Sequence, residues 1–124
     1  MKITDPVLQD KILQALGDPD SPKILHGIRL VPKNAQTISM ETGVPLSSIY
    51  RKLSLLRSAG LTIVKSFEIT AEGKRQDLFL SAVSEVRIGV SGEQIHLELI
   101  PTEESASRIW FKLFNPGTVA QGAS

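Results

Sequence analysis

The sequence predicts an α+β fold in which helices come first and antiparallel strands follow. Three observations predict it. Apolar residues recur at helical spacing through the first half, the period switches to two after Leu61, and Gly43 separates two short helical stretches at the centre of residues 35–60. At 124 residues the chain is long enough for one core and too short for two, so residues 1–114 are expected to form a single domain.

Asp5 is a good N-cap with Pro6 at the first helical position, and Val7, Leu8, Ile12, Leu13 and Leu16 then stripe one helix as far as Gly17. After the Asp18-Pro19-Asp20 turn, Ser21 caps and Pro22 opens a second helix. Its stripe is Ile24, Leu25, Ile28 and Leu30, with Pro32 as its stop. Lys33-Asn34 reads as a connector. Residues 35–60 follow as two helices joined by a turn that Gly43 and Pro45 shape, with Ile38, Val44, Ile49, Leu53 and Leu56 spaced to share one buried face. Leu55 lies off that face and is expected under the strands, and Ala59-Gly60 ends the helix.

Alternation then predicts a hairpin over 61–82, with Ile63, Phe67 and Ile69 returning as Leu78, Leu80 and Ala82 around a tip at Thr70 to Arg75. A second hairpin over 85–100 pairs Val86, Ile88 and Val90 with Ile95, Leu97 and Leu99 around Ser91-Gly92-Glu93. A C-terminal helix over 102–114 carries Ala106, Ile109, Trp110, Leu113 and Phe114 on one side, and 115–124 reads as a flexible tail.

Composition narrows the function classes. An apolar content of 41% and a charged content of 22% belong to an ordinary folded domain. The absence of cysteine excludes disulfides, thiolate metal sites and cysteine nucleophiles, and His26 and His96 stand too far apart in sequence, without carboxylate spacing, to suggest a metal. No Gly-rich phosphate loop, serine-histidine-acid set or pair of acids in an apolar setting is visible, so no enzyme and no cofactor are expected. The N-terminus lacks the apolar run of a signal peptide and no stretch approaches a membrane span, which predicts a cytoplasmic protein that makes no membrane contact.

Net charge is only +1, but it is unevenly spread. Between Pro45 and Gln76, six basic residues (Arg51, Lys52, Arg57, Lys65, Lys74, Arg75) face two acidic ones (Glu68, Glu72), a local +4, and the remainder of the chain carries −3. That asymmetry is expected of a protein with one face for phosphates.

Three or four helices, an exposed polar helix and a hairpin with a basic tip follow one another in the order of a winged helix-turn-helix, with an extra C-terminal hairpin and helix. The run ISMETGVPLSSIYRKLSLLRSAGLTIVKS resembles the winged-helix core of transcription regulators of the arsenical-resistance-repressor type. The matching pieces are the Gly43 turn, the serine pair before Ile49, Tyr50-Arg51-Lys52-Leu53, and Leu56 through Ala59-Gly60-Leu61, while the later hairpin and helix are similar to small archaeal members of that group. The resemblance implies a homodimer on double-stranded DNA, with helix 46–58 in the major groove. By position, Pro45, Leu46, Ser47, Ser48, Tyr50, Arg51 and Ser54 would face the groove, and Gly73, Lys74 and Arg75 would form the wing tip. Lys52 and Lys65 add to the phosphate-contacting set, and Val7, Leu8, Ile109, Trp110, Leu113 and Phe114 are the expected dimer interface. Metal sensing does not carry over without cysteines, which leaves any effector an unknown small molecule. The alternative readings are a winged-helix module for protein or RNA, and a chromatin-like protein that coats DNA regardless of sequence.

Overall fold

The computed structural model describes residues 1–105. Within them a short strand β1 (Lys2–Ile3) precedes four helices, α1 (Pro6–Leu16), α2 (Ser21–Gly27), α3 (Ala35–Thr42) and α4 (Leu46–Ser58). Two antiparallel hairpins follow, β2 (Thr62–Ile69) with β3 (Arg75–Ser81), and β4 (Val83–Ser91) with β5 (Gln94–Pro101). The fold is therefore α+β, with its helices and hairpins in the expected order. The expected C-terminal helix and tail lie, apart from the turn at Glu103–Ser105, outside the described residues.

Local chemistry explains the helix ends. The Asp5 carboxylate accepts from the Val7 amide at 3.1 Å and Pro6 sits in the first turn, so α1 starts where a cap and a pre-set φ coincide. Gly43 ends α3 at φ +76°, with its amide donating to the Ser39 carbonyl at 2.9 Å. A Cβ there would meet no atom within 4 Å, so the requirement is for the left-handed backbone and not for space. Gly43→Ala is expected to lower the unfolding free energy by about 1 kcal/mol. A urea titration with an unchanged midpoint would contradict it.

Helix α2 departs from the sequence expectation. Its N-cap is Asp20, Ser21 is buried inside the first turn with its hydroxyl donating to the Ala15 carbonyl at 2.5 Å, and the helix ends at Gly27, well before Pro32. Ile28 stays fully buried just past the helix end, where its carbonyl accepts from the Ser81 amide, whereas Leu30 is 84% exposed. A buried residue at the next helical position mimics one more turn.

The core is continuous from helices to strands. Ile12, Ile24, Ile28, Ile38, Ile49, Leu53, Leu56 and Leu61 pack with Ile3, Leu97 and Leu99, and side chains of this size stabilise by roughly 1.5–3 kcal/mol each on burial. The β4–β5 hairpin gains a third strand at its β5 edge from β1. The Met1 ammonium donates to the Leu99 carbonyl at 2.7 Å and the Leu99 amide returns to Met1 at 2.8 Å. Leu55, expected under the strands, is instead 37% exposed. Among the described residues no helix is long and apolar enough to cross a membrane.

Candidate nucleic-acid interface

The exposed face of α4 is built by its buried one. Ile49, Leu53 and Leu56 are fixed in the core, and α4 packs on both α1 and α3, so its rotation about its own axis is set. That rotation leaves Ser47, Tyr50, Arg51 and Ser54 exposed and Ser48 partly so, with Pro45 and Leu46 exposed at its start. The Arg51 guanidinium has no hydrogen-bond or ion-pair partner among the described residues.

Lys52 differs from its neighbour. It is 8% exposed, and its ammonium pairs with Asp18 and, at 3.3 Å, with Asp20, both in the turn between α1 and α2. The hydrogen bond from Lys52, helped by the Asp20 amide, holds the Asp18 carboxyl below its ordinary value. The bond to Asp18 raises Lys52 in turn. The expectation that Lys52 touches phosphate is corrected accordingly: this cation ties the exposed helix to the α1–α2 turn. The signal is present in the sequence, because Lys52 lies about 60° from Ile49 on a helical wheel, at the edge of the buried sector about 40° beyond Leu56.

The β2–β3 hairpin is placed beside α4 by a junction that reads in the sequence as a mere connector. The Asn34 side chain accepts from the Thr37 amide at 2.8 Å, capping α3. Its amide nitrogen donates to Glu68 at 2.8 Å and to Gln76 at 2.9 Å, one on each strand. Lys33 pairs with Phe79 through both backbone groups, at 3.0 and 2.8 Å, extending the small sheet to the start of α3. One cleft is consequently lined by Gln36 of α3, Tyr50 of α4 and Arg75 of β3.

The basic residues of the hairpin are not equivalent. Arg75 stacks over the Phe67 ring at 4.2 Å and pairs with Asp77 at 3.1 Å, which aims its guanidinium across the strands. Lys65 is engaged by Glu104. Lys74, beside Gly73 at φ +80°, leaves its ammonium without a partner among the described residues. Beyond the body the hairpin carries apolar side chains into solvent, with Phe67 52% and Ile69 60% exposed.

The remaining expected positions are scattered. Val7 is 64% exposed on α1, Leu8 packs partly against the core, and Ile109, Trp110, Leu113 and Phe114 lie outside the described residues. His26 is exposed, and His96 shares a 2.8 Å hydrogen bond with Ser91. Among the described residues no group of three or more His, Asp or Glu side chains is arranged to hold a metal ion. Neither a protein-family model nor a curated protein sequence matches the chain.

Proposed function

We propose that the protein is a winged helix-turn-helix regulator of the arsenical-resistance-repressor type, binding duplex DNA as a homodimer with α4 in the major groove. In this reading α3, the Gly43 turn and α4 are the helix-turn-helix and the β2–β3 hairpin is the wing. The observation that carries it is the convergence of Tyr50 and Arg75 on one cleft, next to an α4 face of short hydroxyls and the exposed Arg51. Hydroxyls and an arginine fork suit phosphate oxygens and base edges, and a hairpin at the flank suits the adjacent backbone. Arg51 is the specificity candidate, with Ser47, Ser48, Tyr50 and Ser54 as supporting contacts and Lys74 as the freest backbone contact. Lys52 is left out of the surface and Lys65 belongs to it only if Glu104 releases it.

Mobility shift with mixed genomic fragments at two salt concentrations tests this. Retention of a subset of fragments is the expected result, retention of all fragments alike favours the coating protein, and retention of none removes the proposal. A protein-binding wing is favoured by the exposed Phe67 and Ile69, and it is the reading left standing by that last outcome. Lys74→Ala combined with Arg75→Ala is expected to weaken binding to every duplex and to flatten the dependence of log K on log salt by up to about 2, near 0.9 for each phosphate that is no longer neutralised. An unchanged slope would make the wing a bystander.

A further inference from the structure

We infer that β4 is a self-association edge, along which two copies of this chain pair antiparallel about Ile88 to join their three-stranded sheets. The inference moves the homodimer contact of the reading above from the positions expected on α1 and at 109–114 to a strand, and it does not rest on DNA.

Among the described residues β4 has β5 on one side and no strand on the other. It is nine residues long, its irregularity is confined to the base between Val83 and Glu85, and it contains neither lysine nor proline, the residues that usually blunt an edge. Ser91 and Gln94 flank a two-residue turn opened by Gly92 at φ +60°, so they form the hydrogen-bonded pair that closes it. Alternation from that pair directs the backbone amides and carbonyls of Val86, Ile88 and Val90 away from β5. The open hydrogen-bonding groups and the apolar side chains thus belong to the same three residues.

Those side chains share one face with Ile95, Leu97 and Leu99. Leu97 and Leu99 are buried over the helices, but Ile88 is 50%, Val90 75% and Ile95 42% exposed, so the apolar face runs past the body that covers it. Pairing about Ile88 sets each Val86 against the partner's Val90 and makes this face continuous across both copies. On the other face Arg87 meets the partner's Gly89, which offers no side chain to clash. Each Arg87 is already neutralised by Glu85 at 3.2 Å and Glu98 at 3.4 Å, so the approach of two copies brings no unpaired cations together. A second copy fits this edge because the strand complements itself in shape and charge. The opposite edge of the sheet is β1, only two residues long, and a two-fold pairing uses β4 of both copies, so pairing closes at two copies instead of growing.

Sedimentation velocity of the full chain without DNA over a concentration series tests the proposal. The expected particle has twice the 13.5 kDa chain mass, and Ile88→Lys with Val90→Lys raises its dissociation constant by roughly 30-fold or more. Both positions are exposed, and circular dichroism checks that the double variant is folded. The chain has no cysteine, so Ile88→Cys introduces a lone thiol on the two-fold axis, where facing Cα atoms about 5.5 Å apart permit a disulfide. Mild oxidation should link this variant into a covalent dimer and leave Leu30→Cys, a more accessible control, mostly unlinked. A monomer at the highest soluble concentration, or a dimer untouched by the double variant, would overturn the inference. A monomeric chain whose Ile88→Cys thiol is shielded from maleimide would also overturn it, in favour of cover by residues 106–124. Neither result bears on duplex binding, which the mobility shift reads separately.

Discussion

Lys52→Met is expected to cost about 2 kcal/mol of stability, between the small value of a surface ion pair and the larger one of breaking a buried pair, and to lower Tm by roughly 6–12 °C. Methionine keeps the apolar stem that packs at the edge of the buried α4 sector, so the loss isolates the charge. It leaves Asp18 without its ion-pair partner in a largely covered turn and Asp20 with only the more distant Lys23, at 3.8 Å. Asp18→Asn with Asp20→Asn added to Lys52→Met should recover part of the loss, because a neutral set removes the stranded carboxylates.

The pH dependence follows from the directions of the two shifts. Asp18 is lowered from 3.8, so its contribution is complete above that value and disappears as pH falls through the lower, folded value. Lys52 is raised from 10.5, so its contribution is complete below that value and disappears as pH rises through the higher, folded one. The wild type should therefore exceed Lys52→Met by a constant margin from about pH 5 to 9, with the gap closing at both extremes. Equal thermal midpoints at neutral pH would remove Lys52 from any structural role.

Much of this architecture is legible in the sequence because it is local. Asp5-Pro6, Gly43 and the spacing of Ile49, Leu53 and Leu56 each act within a turn of helix, and the period-two stretches mark the hairpins. What escapes is set by distant partners. Asn34 looks like any polar connector until Glu68 and Gln76, 34 and 42 residues away, arrive beside it. β1 is too short for any period, and only the chain near Leu99 makes it a strand. Alternation identifies the two faces of a hairpin but not how far the body beneath extends, so Leu97 and Val90 look equivalent in sequence although one is buried and the other three-quarters exposed. For the candidate site, the exposed positions on α4 follow from helical period alone. Lys52 is misread as a phosphate contact when its charge outweighs its position on the wheel.

Arg51→Ala, one residue from Lys52, is expected to do the opposite: to leave stability nearly unchanged and weaken binding of a selected duplex by about 1–3 kcal/mol, the range for a bidentate arginine at a guanine. The side chain is exposed and has no hydrogen-bond or ion-pair partner among the described residues, so its removal strands nothing inside the fold. Arg51→Lys separates its two candidate roles. A lysine keeps the charge but not the planar fork, so it should retain binding to random duplex while losing preference for the selected one. If Arg51 contacts only phosphate, lysine will restore both affinities together. Affinity for selected and random fragments, measured at one salt concentration, distinguishes these outcomes, and equal affinities of wild type and Arg51→Ala for the selected duplex would remove Arg51 from the interface. Lys52→Met supplies the contrast: because Lys52 is paired away from the surface, any loss of binding it causes acts through the fold and should shrink at low temperature, whereas that of Arg51→Ala should persist.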